Sequence, residues 1–277
     1  MKDYGGYLGY TPLPSTASAS GVWPVDEQRR YAGMYKWPVP LSVDPIQSNI
    51  ALWLKADAGV LDATSSAITA DSTAVATWVN QSGSGQNATQ STSGSRPVWR
   101  NGSNGINGLP VIQFNGSSSV MTGSDTGFPS GSQPRTVYWI ARYRTLNAGW
   151  GGWSYGVTGA SNVVFGMVKS SSASGNYASI QGWVNDYPSS YAITANTTFV
   201  HSAVLNGTSL TQFINGTSVY SGTSSHSTTL SNFRIGAETN SSSFQAIDVL
   251  EILLYNAAHT STERSSVEAY LKTRAGV

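Results

Sequence analysis

Apolar residues fall along this chain in short runs separated by polar, glycine-rich breaks. Between Ile50 and about Asn256 the runs have strand length: Ile50–Ala56, Val111–Phe114, Thr136–Arg142, Val163–Val168, Thr198–Leu205, Leu210–Ile214 and Ile247–Tyr255. Some are apolar throughout, as strands buried between packed layers are, and others alternate. Asn-Gly, which tolerates positive φ and favours tight hairpins, occurs at 101, 104, 107, 115, 206 and 215. The last two pairs bracket Thr208–Ile214 and predict a three-strand meander. The pattern as a whole predicts an all-β fold, a two-sheet antiparallel sandwich.

The two ends read differently. Six of the eleven prolines lie within residues 1–47, together with Tyr4, Tyr7, Tyr10, Trp23, Tyr31, Tyr35 and Trp37. Proline fixes φ and removes donors, so an irregular N-terminal arm is expected, with two or three helical turns over Asp26–Tyr35. At the other end, Thr260-Ser-Thr-Glu263 is a capping-box pattern. Val267, Tyr270, Leu271 and Arg274 follow at helical spacing, and Gly276 stops the run. The expected domains are therefore an arm, 1–47, and a sandwich with a short C-terminal helix, 48–277.

Composition narrows the function classes. The 277 residues carry 15 Lys and Arg against 14 Asp and Glu, a net +1. That balance speaks against a nucleic-acid partner, which usually meets a basic surplus. Only 10% of residues are charged, so hydroxyls and amides must carry solubility. With no cysteine, disulfides, Cys-based zinc sites and Cys nucleophiles are ruled out. No stretch has the length of a membrane span, and the N-terminus shows no apolar signal core.

Two resemblances then emerge. IALWLKADAGV (50–60), ATWVNQSGSGQNATQ (76–90), RPVWRNGSNGINGLPVIQFNGSSSVMTG (96–123), the meander, and RIGAETNSSSFQAIDVLEILLYNAAHTSTERSSVEAYLKTRAGV (234–277) together resemble the laminin-G-like, concanavalin A-like jelly roll. This implies two stacked sheets without implying one activity, because the fold hosts lectins, glycanases and structural modules. SGVWPVDEQRRYAGMYKWPVP (20–40) is similar to segments of virion structural proteins of tailed bacteriophages. It implies a capsid-decoration, head-fibre or tail-associated protein, located in the virion.

Glycanases on such a fold often set carboxylates two positions apart on one strand, hence on one face. Here Asp248 and Glu251 are three apart and are expected on opposite faces, in structural hydrogen bonds to nearby backbone or Ser/Thr. His201, His226 and His259 lack zinc spacing. No G-x-S-x-G elbow appears, and Gly83–Gly85 and Gly149–Gly152 read as turns. No cofactor is expected. Calcium is the one ion for which oxygens are at hand, at Asp57, Asp62, Asp71 and Asn80, though without a dense acidic loop.

The candidate glycan-binding cluster is Trp150, Trp153, Tyr155, Trp183, Asp186 and Tyr187, with Asn185 beside it. Its rings either stack on sugars or fill a core or subunit interface. The candidate docking set is Trp23, Arg29, Arg30, Tyr35 and Trp37, residue types that anchor interfaces. The sequence thus predicts a non-enzymatic virion protein. Its arm docks on capsid or tail subunits and its jelly roll meets host-surface glycans weakly. The chain is expected to be homo-oligomeric, with no nucleic-acid or membrane partner. The alternative is a secreted or surface lectin-like module.

Overall fold

The computed structural model describes residues 45, 47–146, 149–172, 175–239 and 243–277. The arm, with Trp23, Arg29, Arg30, Tyr35 and Trp37, lies outside the described residues. Pro45–Val277 forms one compact unit.

Among the described residues eighteen strands follow one another: β1 (Ile50–Lys55), β2 (Val60–Leu61), β3 (Thr73–Ala74), β4 (Thr77–Trp78), β5 (Ala88–Thr89), β6 (Val98–Arg100), β7 (Val111–Asn115), β8 (Met121–Gly123), β9 (Arg135–Tyr143), β10 (Gly152–Gly156), β11 (Val164–Ser172), β12 (Gly175–Gln181), β13 (Tyr187–Ala192), β14 (Thr198–Asn206), β15 (Ser209–Ile214), β16 (Thr217–Thr223), β17 (Phe233–Ile235) and β18 (Ala246–Tyr255). The helix α1 (Ser261–Ala275) closes the chain. Sheet A runs β16-β15-β14-β9-β18-β7-β6-β3, with β1 also paired to β18; sheet B runs β13-β12-β11-β10-β17-β8-β5-β4-β2. Every pairing is antiparallel, and the β14-β15-β16 meander sits at one edge of sheet A.

The core lies between the sheets. Trp139, Tyr143 and Phe199 from sheet A and Trp153, Tyr155, Phe165 and Met167 from sheet B are buried there. Helix α1 covers the other face of sheet A over β9 and β14. This explains why β9 and β18 read as nearly unbroken apolar runs, since both of their faces are buried. The capping box forms as its residues require: Thr260 accepts from the Glu263 backbone, Glu263 reaches back, and Gly276 ends the helix at φ 72°.

One element departs from its expected register. Val249 pairs with Ala141 but Glu251 pairs with Ile140, so Leu250 is an extra, bulged residue. Asp248 and Glu251, three apart, therefore share the helix-covered face rather than opposite faces. Their partners are also not the expected backbone and Ser/Thr side chains. Asp248 pairs with Arg142 and Arg144 and accepts from Gln113. Glu251 pairs with Arg274 at 2.6 Å and accepts from Trp53 and Tyr270. Both carboxylates are structural: they tie β7, β9 and β18 together and dock α1.

Candidate functional site

Three loops at one end of sheet B build a cleft of about 460 Å³, lined by Trp150, Trp183, Val184, Asp186, Pro188 and Glu238. Trp150 lies in the β9–β10 loop. Trp183, Val184 and Asp186 form the β12–β13 turn. Glu238 follows β17. Both indoles are partly exposed, and Val184 is 80% exposed.

The β12–β13 turn is strained. Trp183 and Val184 stand at φ 61° and 57°. Two successive left-handed residues are what a primed hairpin turn needs, and Asn215-Gly216 supplies them at φ 50° and 86° in the meander. At 183–184 an indole and a β-branched side chain occupy those positions instead, where valine is an outlier. Asp186 offsets part of the strain by accepting from the Gly182 N–H at 2.8 Å. Strain of this kind clusters at binding sites, because it holds side chains in an unusual projection.

The two acids differ in support but share a tendency. Glu238 Oε1 accepts from Gln181 Nε2 at 2.7 Å. Burial raises the affinity of Asp186 for its proton, against the opposing Gly182 hydrogen bond. Burial does the same at Glu238, and the Asp186 charge adds to it. Carboxyl groups held toward the neutral form between two indoles can donate hydrogen bonds as well as accept them.

Of the predicted cluster, Trp150, Trp183 and Asp186 meet at this cleft and the other three do not. Trp153 and Tyr155 lie in β10 with no exposure, facing the core. The stretch Gly149–Gly152, read as a turn, leads straight into that strand. Tyr155 OH accepts from Arg135 at 2.7 Å and donates to the Pro129 carbonyl. Tyr187 is buried, its OH donating to Asn162 Oδ1 and its ring 5.0 Å from His226. Asn185 turns away to Asn162. Val184, Pro188 and Glu238 were missed. Glu238 is remote in sequence and arrives only because β17 pairs with β10.

The other candidates hold the fold. His201 bonds Gln212, His226 bonds Ser224 and the Gln181 carbonyl, and His259 Nδ1 meets Tyr138 OH at 2.7 Å. Asp57 pairs with Arg274, Asp62 caps its own turn, Asp71 holds Arg100, and Asn80 fastens the Trp53 N–H. Among the described residues no three metal-ligating side chains converge.

No protein-family model and no curated protein sequence matches the chain. Solved structures do. A GH54 α-L-arabinofuranosidase soaked with a cyclic sulfate inhibitor is similar at TM-score 0.60 and 13% identity, over 74% of this chain and 52% of its own. The binding domain of Paraclostridial Mosquitocidal Protein 1 is similar at TM-score 0.56 and 15% identity, over 80% and 52%. A Trypanosoma rangeli sialidase in a covalent-intermediate complex with 2,3-difluorosialic acid is similar at TM-score 0.55 and 11% identity, over 86% and 34%. The chain thus spans about half the length of the first two and a third of the last. At these identities the likeness establishes the fold, a two-sheet antiparallel β-sandwich. It also overturns the expectation of a non-enzymatic protein, because the neighbours that share this fold include glycosidases.

Proposed function

We propose that the sandwich binds glycans in the cleft between Trp150 and Trp183. The observation that carries this reading is the placement of two part-exposed indoles around the two carboxyl groups of Asp186 and Glu238. Indoles stack on the apolar faces of sugar rings, and the acids hydrogen-bond hydroxyls. The turn that projects Trp183 adopts a costly conformation to do so. The sugar-active neighbours of the fold support the reading at the level of architecture. The test is a glycan array probed with the wild type and with Trp150→Ala and Trp183→Ala. Binding lost in both variants supports the site; binding retained in both overturns it.

A second reading, glycoside hydrolysis in the same cleft, is favoured by the raised proton affinity of Asp186 and Glu238. A carboxyl group that keeps its proton can act as general acid toward a leaving oxygen while a second carboxylate serves water or carbon. Turnover of an oligosaccharide that vanishes in Glu238→Gln and Asp186→Asn would establish it.

The laminin-G-like likeness, the virion location and the docking arm remain proposals carried by sequence alone, above all by residues 20–40. In that reading Trp23, Arg29, Arg30, Tyr35 and Trp37 anchor the chain on capsid or tail subunits. The secreted lectin-like module is the alternative. A fragment starting at Leu41 that still enters the particle at full occupancy would overturn the arm's role.

A further inference from the structure

The carboxyl groups of the cleft have no positive partner among the described residues. Asp248, Glu251 and Glu268, buried elsewhere in the sandwich, each pair with an arginine. Asp186 and Glu238 pair with none. The groups that bond them are neutral: the backbone of Gly182 and Trp183 at Asp186, and the side chains of Gln181 and Ser243 at Glu238. Burial and the Asp186 charge act together on Glu238, and no cation offsets either. Asp125 also lacks a basic partner, but it lies away from the cleft, at 2% exposure.

Other features of the walls have the same sign. Trp150 and Trp183 line the cleft with indoles, and the face of an indole is the negative pole of its quadrupole. Gln181 Oε1, on the amide that holds Glu238, is buried without a hydrogen bond and adds a fixed negative partial charge at that wall. Pro188 has no N–H to offer. A cleft of about 460 Å³ that joins part-exposed indoles to two unbalanced carboxyl groups suits a ligand that is apolar on its faces and positive at one edge.

We propose that the cleft selects an amino sugar, a pyranose carrying a free ammonium group, with Asp186 and Glu238 accepting from the ammonium and Trp150 and Trp183 stacking on the ring. The inference rests on the glycan-binding reading above and adds the charge of the ligand. An ammonium donates three hydrogen bonds and accepts none, which matches walls rich in acceptors. It also favours the charged form of both carboxyl groups, against the burial that disfavours it. An acetamido or hydroxyl group at the same ring position brings no charge and leaves the two acids unbalanced. An acidic sugar is repelled by both.

The test uses three tetramers on one β-1,4-linked backbone that differ only at C2 of each ring: the glucosamine tetramer with ammonium, chitotetraose with acetamide and cellotetraose with hydroxyl. Titration calorimetry at about pH 6 keeps the amines protonated. The wild type should bind the glucosamine tetramer about ten-fold more tightly than either neutral tetramer, a factor within reach of charge-assisted hydrogen bonds and cation–π contacts. In Glu238→Gln and in Asp186→Asn that ratio should fall toward one, with circular dichroism showing that the sandwich persists. Equal binding of the three tetramers, or a preference that survives both acid variants, overturns the amino-sugar assignment and leaves the cleft as a site for neutral glycans. So does a wild type that binds other glycans on the array and none of the tetramers. No binding of any glycan overturns the glycan reading itself.

Discussion

Gln181 donates from Nε2 to Glu238 Oε1 across 2.7 Å, fastening the end of β12 to the loop after β17. This bond fixes one acid of the cleft from a side chain whose own backbone is locked in a sheet. Ser243 hydrogen-bonds the same carboxyl group.

Glu238 binds its proton more tightly in the folded chain than in the unfolded one. Its contribution to stability is therefore largest at low pH and falls as pH rises from its ordinary value through its raised one. Glu238→Gln removes this dependence. Thermal melts between about pH 4 and about pH 8 should show the wild type losing stability relative to the variant as pH rises. Parallel curves would refute the raised affinity.

Aromatic substitutions separate cleft from core. Trp153→Ala, in the packed interior, should cost about 3–5 kcal/mol and lower the melting temperature sharply. Trp150→Ala and Trp183→Ala should cost far less and act on ligand binding instead. Calorimetric melts of the three variants decide it.

The left-handed pair at the β12–β13 turn carries a stability cost that a different sequence would avoid. Replacing Trp183-Val184 by Asn-Gly should stabilise the sandwich by about 1–2 kcal/mol, read as a raised denaturant midpoint. The same change should remove glycan binding. A variant no more stable than the wild type would mean that the turn is unstrained.

Two buried histidines make the sandwich acid-sensitive. Burial pushes both His201 and His226 down from 6.5 to about 4. Each is neutral when folded, and unfolding lets it bind a proton below pH 6.5. Stability from these groups is complete above that value and is lost as pH falls toward about 4, by about 3 kcal/mol per group. His201→Gln should flatten the profile across that window in urea titrations.

The helix is held by charge as well as by packing. Arg274→Met leaves Glu251 buried without its ion-pair partner, with an expected cost of about 3–5 kcal/mol. Thr260→Ala, which removes only the cap, should cost about 1 kcal/mol. Chemical denaturation of both variants checks the ranking.

Long apolar runs were legible in the sequence, and so were the meander and the capped helix, because each follows from local chemistry. Val111–Phe114, Thr198–Leu205 and Ile247–Tyr255 each fall within an observed strand. The strand Gly152–Gly156 was not legible: its two glycines and serine face away from the core, and turn-forming composition hid an alternating pattern carried by Trp153 and Tyr155 alone. Half of the cleft was visible as Trp150, Trp183 and Asp186. Glu238 was not, since its arrival depends on β17 pairing with β10 across some eighty positions of chain, a relation that no local spacing encodes.

The bulge at Leu250 works as a change of phase within one strand. Ahead of it, odd-numbered residues face the core, as Ile247 and Val249 do; beyond it, even-numbered ones do, as Ile252 and Leu254 show through their pairing with Trp139 and Val137. One inserted position thus lets a single ten-residue strand match β7 with its first half and β1 with its second. Were Leu250 to pair with Ile140 instead of bulging out, strict alternation would turn Glu251 toward the interior and Ile252 toward the helix. The ion pair between Glu251 and Arg274 of α1 therefore depends on Leu250 standing outside the ladder.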